Sequence, residues 1–136
     1  MIHYDSCLDA RDHFAEMLDA AERGRVPTVR RDARTMAVLD LERLRSLLAA
    51  EAPSRARVAQ EADGWSVLVP GVPAAADGGT FEEAVDEMID ALREYAEDWQ
   101  QGPADPPSHA NNWSLVQLVG LSDDEQLRDW LLESVR

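Results

Sequence analysis

The run from Thr80 to Trp99 constrains this chain more than any other part of it. Phe81, Ala84, Val85, Met88, Ile89, Leu92, Ala96 and Trp99 recur at the period of a helix and fall on one face. Glu82, Glu83, Asp86, Glu87, Asp90, Glu94, Glu97 and Asp98 fill the other, relieved only by Arg93. Thr80 and Glu83 have the T-x-x-E spacing of a capping box, each side chain closing one orphan amide of the first turn. A long helix of this kind packs one side against a partner layer and turns the other to water or to something basic.

The partner layer is predicted just upstream. After the break at Pro53-Ser54, Val58 to Ala62 reads as a weak strand, Asp63-Gly64 as a hairpin turn and Trp65 to Val69 as the returning strand. Pro70-Gly71-Val72-Pro73 ends it, and a short third strand precedes Gly78-Gly79. Beyond the helix, Gly102 to Pro107 contains three prolines and reads as a semi-rigid linker. The tail places Trp113, Leu115, Gln117, Val119 and Leu121 at alternating positions, the pattern of a strand. Ser122 then caps a short amphipathic helix with Glu125 at its third position and Leu127, Trp130, Leu131 and Val135 inside.

The first fifty residues follow a different plan. A short strand at Ile2 to Tyr4 leads to Ser6, a helix cap, and Leu8, Phe14, Met17, Leu18 and Ala21 recur at helical spacing up to Gly24, predicting one helix over 8–23. Val26 to Arg31 and Thr35 to Leu39 read as a hairpin around Asp32-Ala33-Arg34, with an arginine-rich tip. Asp40 caps a further helix carrying Leu41, Leu44, Leu47 and Leu48 until Pro53. The fold class predicted is α+β: a β-α-β-β-α segment, a β-β-β-α segment and a C-terminal strand/helix tail.

Charge divides the chain in the same way. The formal net charge is −14, yet residues 1–57 carry ten arginines against ten carboxylates, so the whole imbalance lies in residues 58–136. Such asymmetry points to two different partners. A phosphate backbone is repelled by the second part and accepted only by the arginines of the first. The longest apolar stretch, Val67 to Ala76, is broken by two prolines and far short of the ~18 residues of a membrane span. No export signal is evident, and the lone Cys7 excludes an internal disulfide framework, so a cytoplasmic protein with no membrane partner is expected.

Catalytic patterns are scarce. His3, His13 and His109 lack companions at metal-ligand spacing, so neither a metal nor another cofactor is expected. Cys7 has no activating base in the sequence and reads as a small buried residue. Gly78-Gly79-Thr80 lacks the lysine of a phosphate loop and precedes two glutamates, which makes it a helix start. The carboxylates of the long helix have the pattern of solvation rather than of a general acid and base. An enzyme is not expected.

The N-terminal residues Ala10-Arg11-Asp12-His13-Phe14-Ala15-Glu16-Met17-Leu18-Asp19, Glu22-Arg23-Gly24, Val29-Arg30-Arg31 and Met36-Ala37-Val38-Leu39 resemble the prevent-host-death (Phd/YefM) antitoxin family over about residues 2–50. The family's hairpin turn usually carries Gly, where this chain has Asp32-Ala33. The next segment is similar to HicB-type antitoxin domains over about residues 55–99: Asp63-Gly64-Trp65, Val69-Pro70-Gly71-Val72-Pro73 and Gly79-Thr80-Phe81-Glu82-Glu83-Ala84. No helix-turn-helix or ribbon-helix module of the kind that usually follows such a domain is evident. The segments expected are therefore 1–52, Phd/YefM-like; 55–100, HicB-like; and 101–136, a linker with an acidic and aromatic tail.

The resemblance implies an antitoxin of a type II toxin–antitoxin system: a homodimer that binds operator DNA through Arg11, His13, Arg30, Arg31 and Arg34, and that neutralises a cognate basic toxin, commonly a small ribonuclease. Trp113, Leu115, Leu118, Trp130 and Leu131 are the anchor candidates for that toxin, with Asp123, Asp124 and Glu125 steering it. The alternative for the tail is that it folds back over the sheet of residues 57–69. The alternative for the whole is an interaction or immunity module with an antitoxin-like fold and no DNA contact.

Overall fold

The computed structural model describes residues 1–102, 112–133 and 135; the proline-rich linker predicted from Gly102 to Pro107 lies outside them apart from Gly102, as does His109. The chain forms two compact units, Met1–Leu44 and Arg45–Arg136.

In the first unit, β1 (His3–Tyr4) runs parallel to β2 (Thr28–Arg31), which pairs antiparallel with β3 (Arg34–Ala37) in the order β1-β2-β3. The crossover between the parallel strands is helical, as such a connection requires, but it is two helices, α1 (Cys7–Asp12) and α2 (Phe14–Glu22), rather than the single helix predicted. His13 divides them for a local reason. Its own Nδ1 hydrogen-bonds to the Asp9 carbonyl at 2.9 Å, the acceptor that a continuous helix would give to its backbone, and its N–H turns to Ala10 O at 3.1 Å. Ser6 Oγ accepts from Asp9 N at 3.0 Å and caps α1. Gly24, with φ of +87°, closes α2 by a Schellman motif in which Arg25 N reaches Ala20 O and Gly24 N reaches Ala21 O.

The break changes what is buried. Tyr4, Ala10 and Met17 form a small core with partly buried Ile2, Val29 and Val38 against it. Leu8, Phe14 and Leu18, predicted to face inward, are exposed. Cys7, read as buried, is an exposed free thiol. Helix α3 (Leu41–Glu51), capped by Asp40 Oδ2 on Arg43 N at 3.2 Å, contains the division between the units.

The second unit begins with an antiparallel meander of β4 (Arg57–Glu61), β5 (Gly64–Leu68) and β6 (Ala75–Gly78). Glu61 pairs with Gly64, so the turn is Ala62-Asp63, one residue earlier than predicted. Gly64 has φ of +148°, and a Cβ there would lie 2.3 Å from Gly78 O, so both the turn and the close strand approach demand glycine. Val58, Val67 and Ala76 share one face by register. Against β5 and β6 packs α4 (Phe81–Gln101), burying Ala84, Val85, Met88, Ile89, Leu92 and Ala96. Thr80 Oγ1 accepts from Glu83 N at 3.1 Å as predicted, but Glu83 Oε2 accepts from Gly79 N at 3.0 Å rather than from the cap residue's own amide.

The tail carries no strand among the described residues. Residues Trp113–Leu121 form helix α5, because Leu115, Val116, Leu118 and Val119 supply the i, i+3, i+4 pattern that the alternating reading passed over. Helix α6 (Asp124–Glu133) is capped by Asp123, not Ser122: Asp123 Oδ1 accepts from Gln126 N at 2.8 Å and Gln126 Oε1 from Asp123 N at 2.9 Å. Ser122 Oγ instead donates to Leu118 O at 2.6 Å. Both helices pack on α4. Trp130 Nε1 donates to Ala52 O at 2.9 Å, and buried Ser54 Oγ donates to Leu131 O at 3.2 Å.

Arg93, the lone cation of α4, has a structural use. Its guanidinium donates to Val119 O at 2.6 Å, Ser122 O at 2.9 Å and Asp124 Oδ1 at 2.8 Å, tying α4 to the α5–α6 corner. Replacing it by Leu leaves two backbone carbonyls short of a donor. Arg93→Leu is expected to lower stability by about 1–3 kcal/mol, measured as a lower urea midpoint without a change in slope.

Candidate nucleic-acid interface

The basic hairpin follows from register. Arg31 and Arg34 are paired directly across the strands, and Arg30 pairs with Thr35 on the opposite face. All three arginines are exposed. Asp32, at the turn, takes φ of +52°, a conformation that Asp tolerates better than most side chains, and its carbonyl accepts from Arg30 Nε at 3.3 Å. Among the described residues Arg31 and Arg34 make no ion pair. Two like charges directly opposed destabilise a strand pair, so Arg31 and Arg34 weaken the hairpin at its turn end.

The other two predicted DNA-contacting residues lie in the same unit, on the helical crossover that packs against β2. Arg11 is exposed, with Nε 3.7 Å from Asp12 Oδ1, a surface pair of little strength. His13 is more enclosed: its ring stacks on Tyr4 with centroids 5.6 Å apart, and its Nδ1 lies 3.4 Å from Asp9 Oδ1 as well as on the Asp9 carbonyl. That carbonyl, with Glu16, Asp9 and Asp12 nearby, holds the imidazole pKa above its usual 6.5 against some desolvation.

The tail residues predicted as toxin anchors are placed differently. Leu115, Leu118, Trp130 and Leu131 are buried in the second unit, so they build its core and present no surface; only Trp113, 51% exposed, stands out. Tryptophans in a short tail have the same sequence signal whether they anchor a partner or fill a core. Asp123 is engaged in its cap and Asp124 with Arg93, while Glu125 is exposed.

The acidic face of α4 is the larger exposed surface of this unit. Glu83, Glu87, Asp90, Glu94, Glu97 and Asp98 lie within about a third of the helix circumference and are all exposed. Like charges three and four residues apart repel. Asp86, beside this stripe, is paired with Arg128. Sequence reasoning missed the apolar surface of the first unit, where Leu8, Phe14, Leu18, Val26, Met36 and Leu41 are all exposed. The helical spacing of Leu8, Phe14 and Leu18 was visible, but the break at His13 and the exposure of these side chains were not.

Among the described residues no group of three or more His, Cys, Asp or Glu side chains is arranged to hold a metal ion, and no helix is long and apolar enough to cross a membrane. The groove at the β4–β5 turn is lined by Glu61, Asp63, Gly64, Trp65, Asp77 and Gly78, and Glu61 Oε1 accepts from the Ser66 hydroxyl at 3.3 Å.

The opposed arginines generate a prediction for the free protein. Arg34→Thr removes the like-charge pair while keeping a good strand former, and should raise stability by a few tenths to about 1 kcal/mol at low salt. The gain should shrink as salt is added, read by denaturant melts in two buffers.

No family model matches the chain, and no curated protein does. A solved structure does: a crystal structure from Syntrophomonas wolfei subsp. wolfei, described as the antitoxin part of a candidate toxin/antitoxin system, is 17% identical, covers 96% of each chain and superposes with a TM-score of 0.79. The chain therefore shares its fold with that protein.

Proposed function

We propose that this chain is the antitoxin of a type II toxin–antitoxin system, binding its toxin directly and repressing its own operon. The observation that carries the reading is the likeness of fold, over nearly the full length, to a structure described as an antitoxin part. On this reading residues 1–52 are of Phd/YefM kind and residues 55–100 HicB-like, followed by the tail, and the protein does no chemistry of its own. It acts in the cytoplasm.

DNA binding is assigned to Arg11, His13, Arg30, Arg31 and Arg34. The exposed, directly opposed Arg31 and Arg34 support it, because a phosphate between them removes their repulsion. Homodimerisation is supported by the poverty of the first unit, whose core cluster holds three buried residues while seven large apolar side chains stand exposed. A unit of about forty residues rarely stands on so small a core, and a twofold partner both covers the apolar surface and doubles the arginines. The toxin is proposed to be a small basic protein, such as a ribonuclease, that meets the carboxylates of α4, with exposed Trp113 as an aromatic contact.

The test is a mobility-shift and sedimentation series with the duplex upstream of the chain's own reading frame, beside a scrambled duplex. The parent should sediment as a dimer and bind the upstream duplex at ~0.1 M salt. Arg30→Ala/Arg31→Ala, which removes four cations per dimer, should flatten the salt dependence of log K by about 3–4. A monomer indifferent to both duplexes overturns the DNA half and leaves an interaction or immunity module. Failure to protect cells from the product of the adjacent gene overturns the antitoxin reading.

A further inference from the structure

The break between α1 and α2 is closed by one side chain. His13 ends the first helix and begins the second: its N–H bonds to Ala10 O, and its carbonyl accepts from Met17 N at 2.9 Å. The imidazole meanwhile reaches back to the Asp9 carbonyl at 2.9 Å and lies against Tyr4 of β1, itself part of the small core. One ring therefore touches α1 and β1 and stands at the root of α2.

We propose that this junction is a proton-controlled clamp, in which His13 holds the two helices and the first strand together more tightly when its ring is charged. The neutral ring, protonated on Nδ1, can donate to the Asp9 carbonyl but gains little from the charges around it. The charged ring strengthens that hydrogen bond and adds an ion pair to Asp9 Oδ1 at 3.4 Å. It also presents a cation to the face of the Tyr4 ring. The charges that bear on the ring are Asp9 and Asp12 of α1 and Glu16 of α2. Arg11, the cation of α1, is paired with Asp12; β2, which packs on α1, carries Arg30 next to Val29, the residue paired with Tyr4, and Arg31 one residue further. The N-terminus of α2 opposes a cation at this position, and three carboxylates outweigh it.

The sign follows from linkage. A folded-state pKa above 6.5 means that the native unit binds the proton more tightly than the unfolded chain. The added stability is complete below about pH 6.5 and is lost as pH rises through the folded value. Arg11 lies two residues from the clamp, so, as a corollary, acid should also steady its position.

The test uses the full chain and two variants. His13→Gln keeps a donor for the Asp9 carbonyl but cannot titrate, and leaves His3 and His109 in place; Asp9→Asn keeps the carbonyl and removes the carboxylate. Proton NMR should show His13 titrating above 6.5, with the Tyr4 and Phe14 amides moving along the same curve, and Asp9→Asn should lower that midpoint. The thermal midpoint of the parent should fall between about pH 6 and 8, and His13→Gln should lose that fall. A His13 midpoint at or below 6.5, or an unchanged pH dependence in His13→Gln, overturns the clamp. The Arg11 Nε signal should follow the His13 titration curve in the parent and not in His13→Gln, which supports the corollary; its failure to do so removes the corollary and leaves the other NMR and melting results to decide the clamp.

Discussion

Helix α4 presents six buried apolar side chains to β5, β6, α5 and α6, and the second unit is assembled on that one contact surface. Among the described residues of 45–136, no other helix buries as many apolar side chains. The hydrogen bonds around it act as locators: the Thr80–Glu83 cap sets where the helix leaves β6, and Arg93 sets where the α5–α6 corner meets it. Because these locators consume the polar groups near the core, the carboxylates on the far side are left to solvent or to a partner.

The first unit is organised by the opposite economy. Its sheet has three short strands, its core cluster three buried residues, and much of its apolar surface stays exposed. Its arginines are set on a hairpin tip where two of them repel each other. Local rules alone would favour neither arrangement. The proposed dimer and operator contact would relieve both, by covering the exposed apolar side chains and by placing a phosphate between the opposed arginines.

Much of this was readable from the sequence. The caps at Ser6, Asp40 and Thr80, the left-handed stop at Gly24 and the arginine hairpin all stand where side-chain chemistry put them, because each depends on a few neighbouring residues. What the sequence hid depends on competition. At His13 a side chain takes the carbonyl that a continuous helix would give to a backbone amide, which splits the helix, and Leu8, Phe14 and Leu18 of its predicted stripe are exposed while Met17 and Ala21 are buried. In the tail, Trp113, Leu115, Val119 and Leu121 satisfy a period of two, while Leu115, Val116, Leu118 and Val119 satisfy the helical period; packing on α4 decides between them. Four of the five anchor candidates, Leu115, Leu118, Trp130 and Leu131, are buried for the same reason, while Trp113 is exposed.

The pins at Ala52 and Ser54 reach Trp130 and Leu131, partners 78 and 77 residues away along the chain. A ribosome adding about 5–20 residues each second needs roughly 4 to 16 s to bridge that interval. The arginine hairpin, by contrast, closes on itself as soon as it emerges. During synthesis the residues of the cationic tip are therefore all available to pair well before the middle of the chain finds its fastening, so the two units are completed at different times.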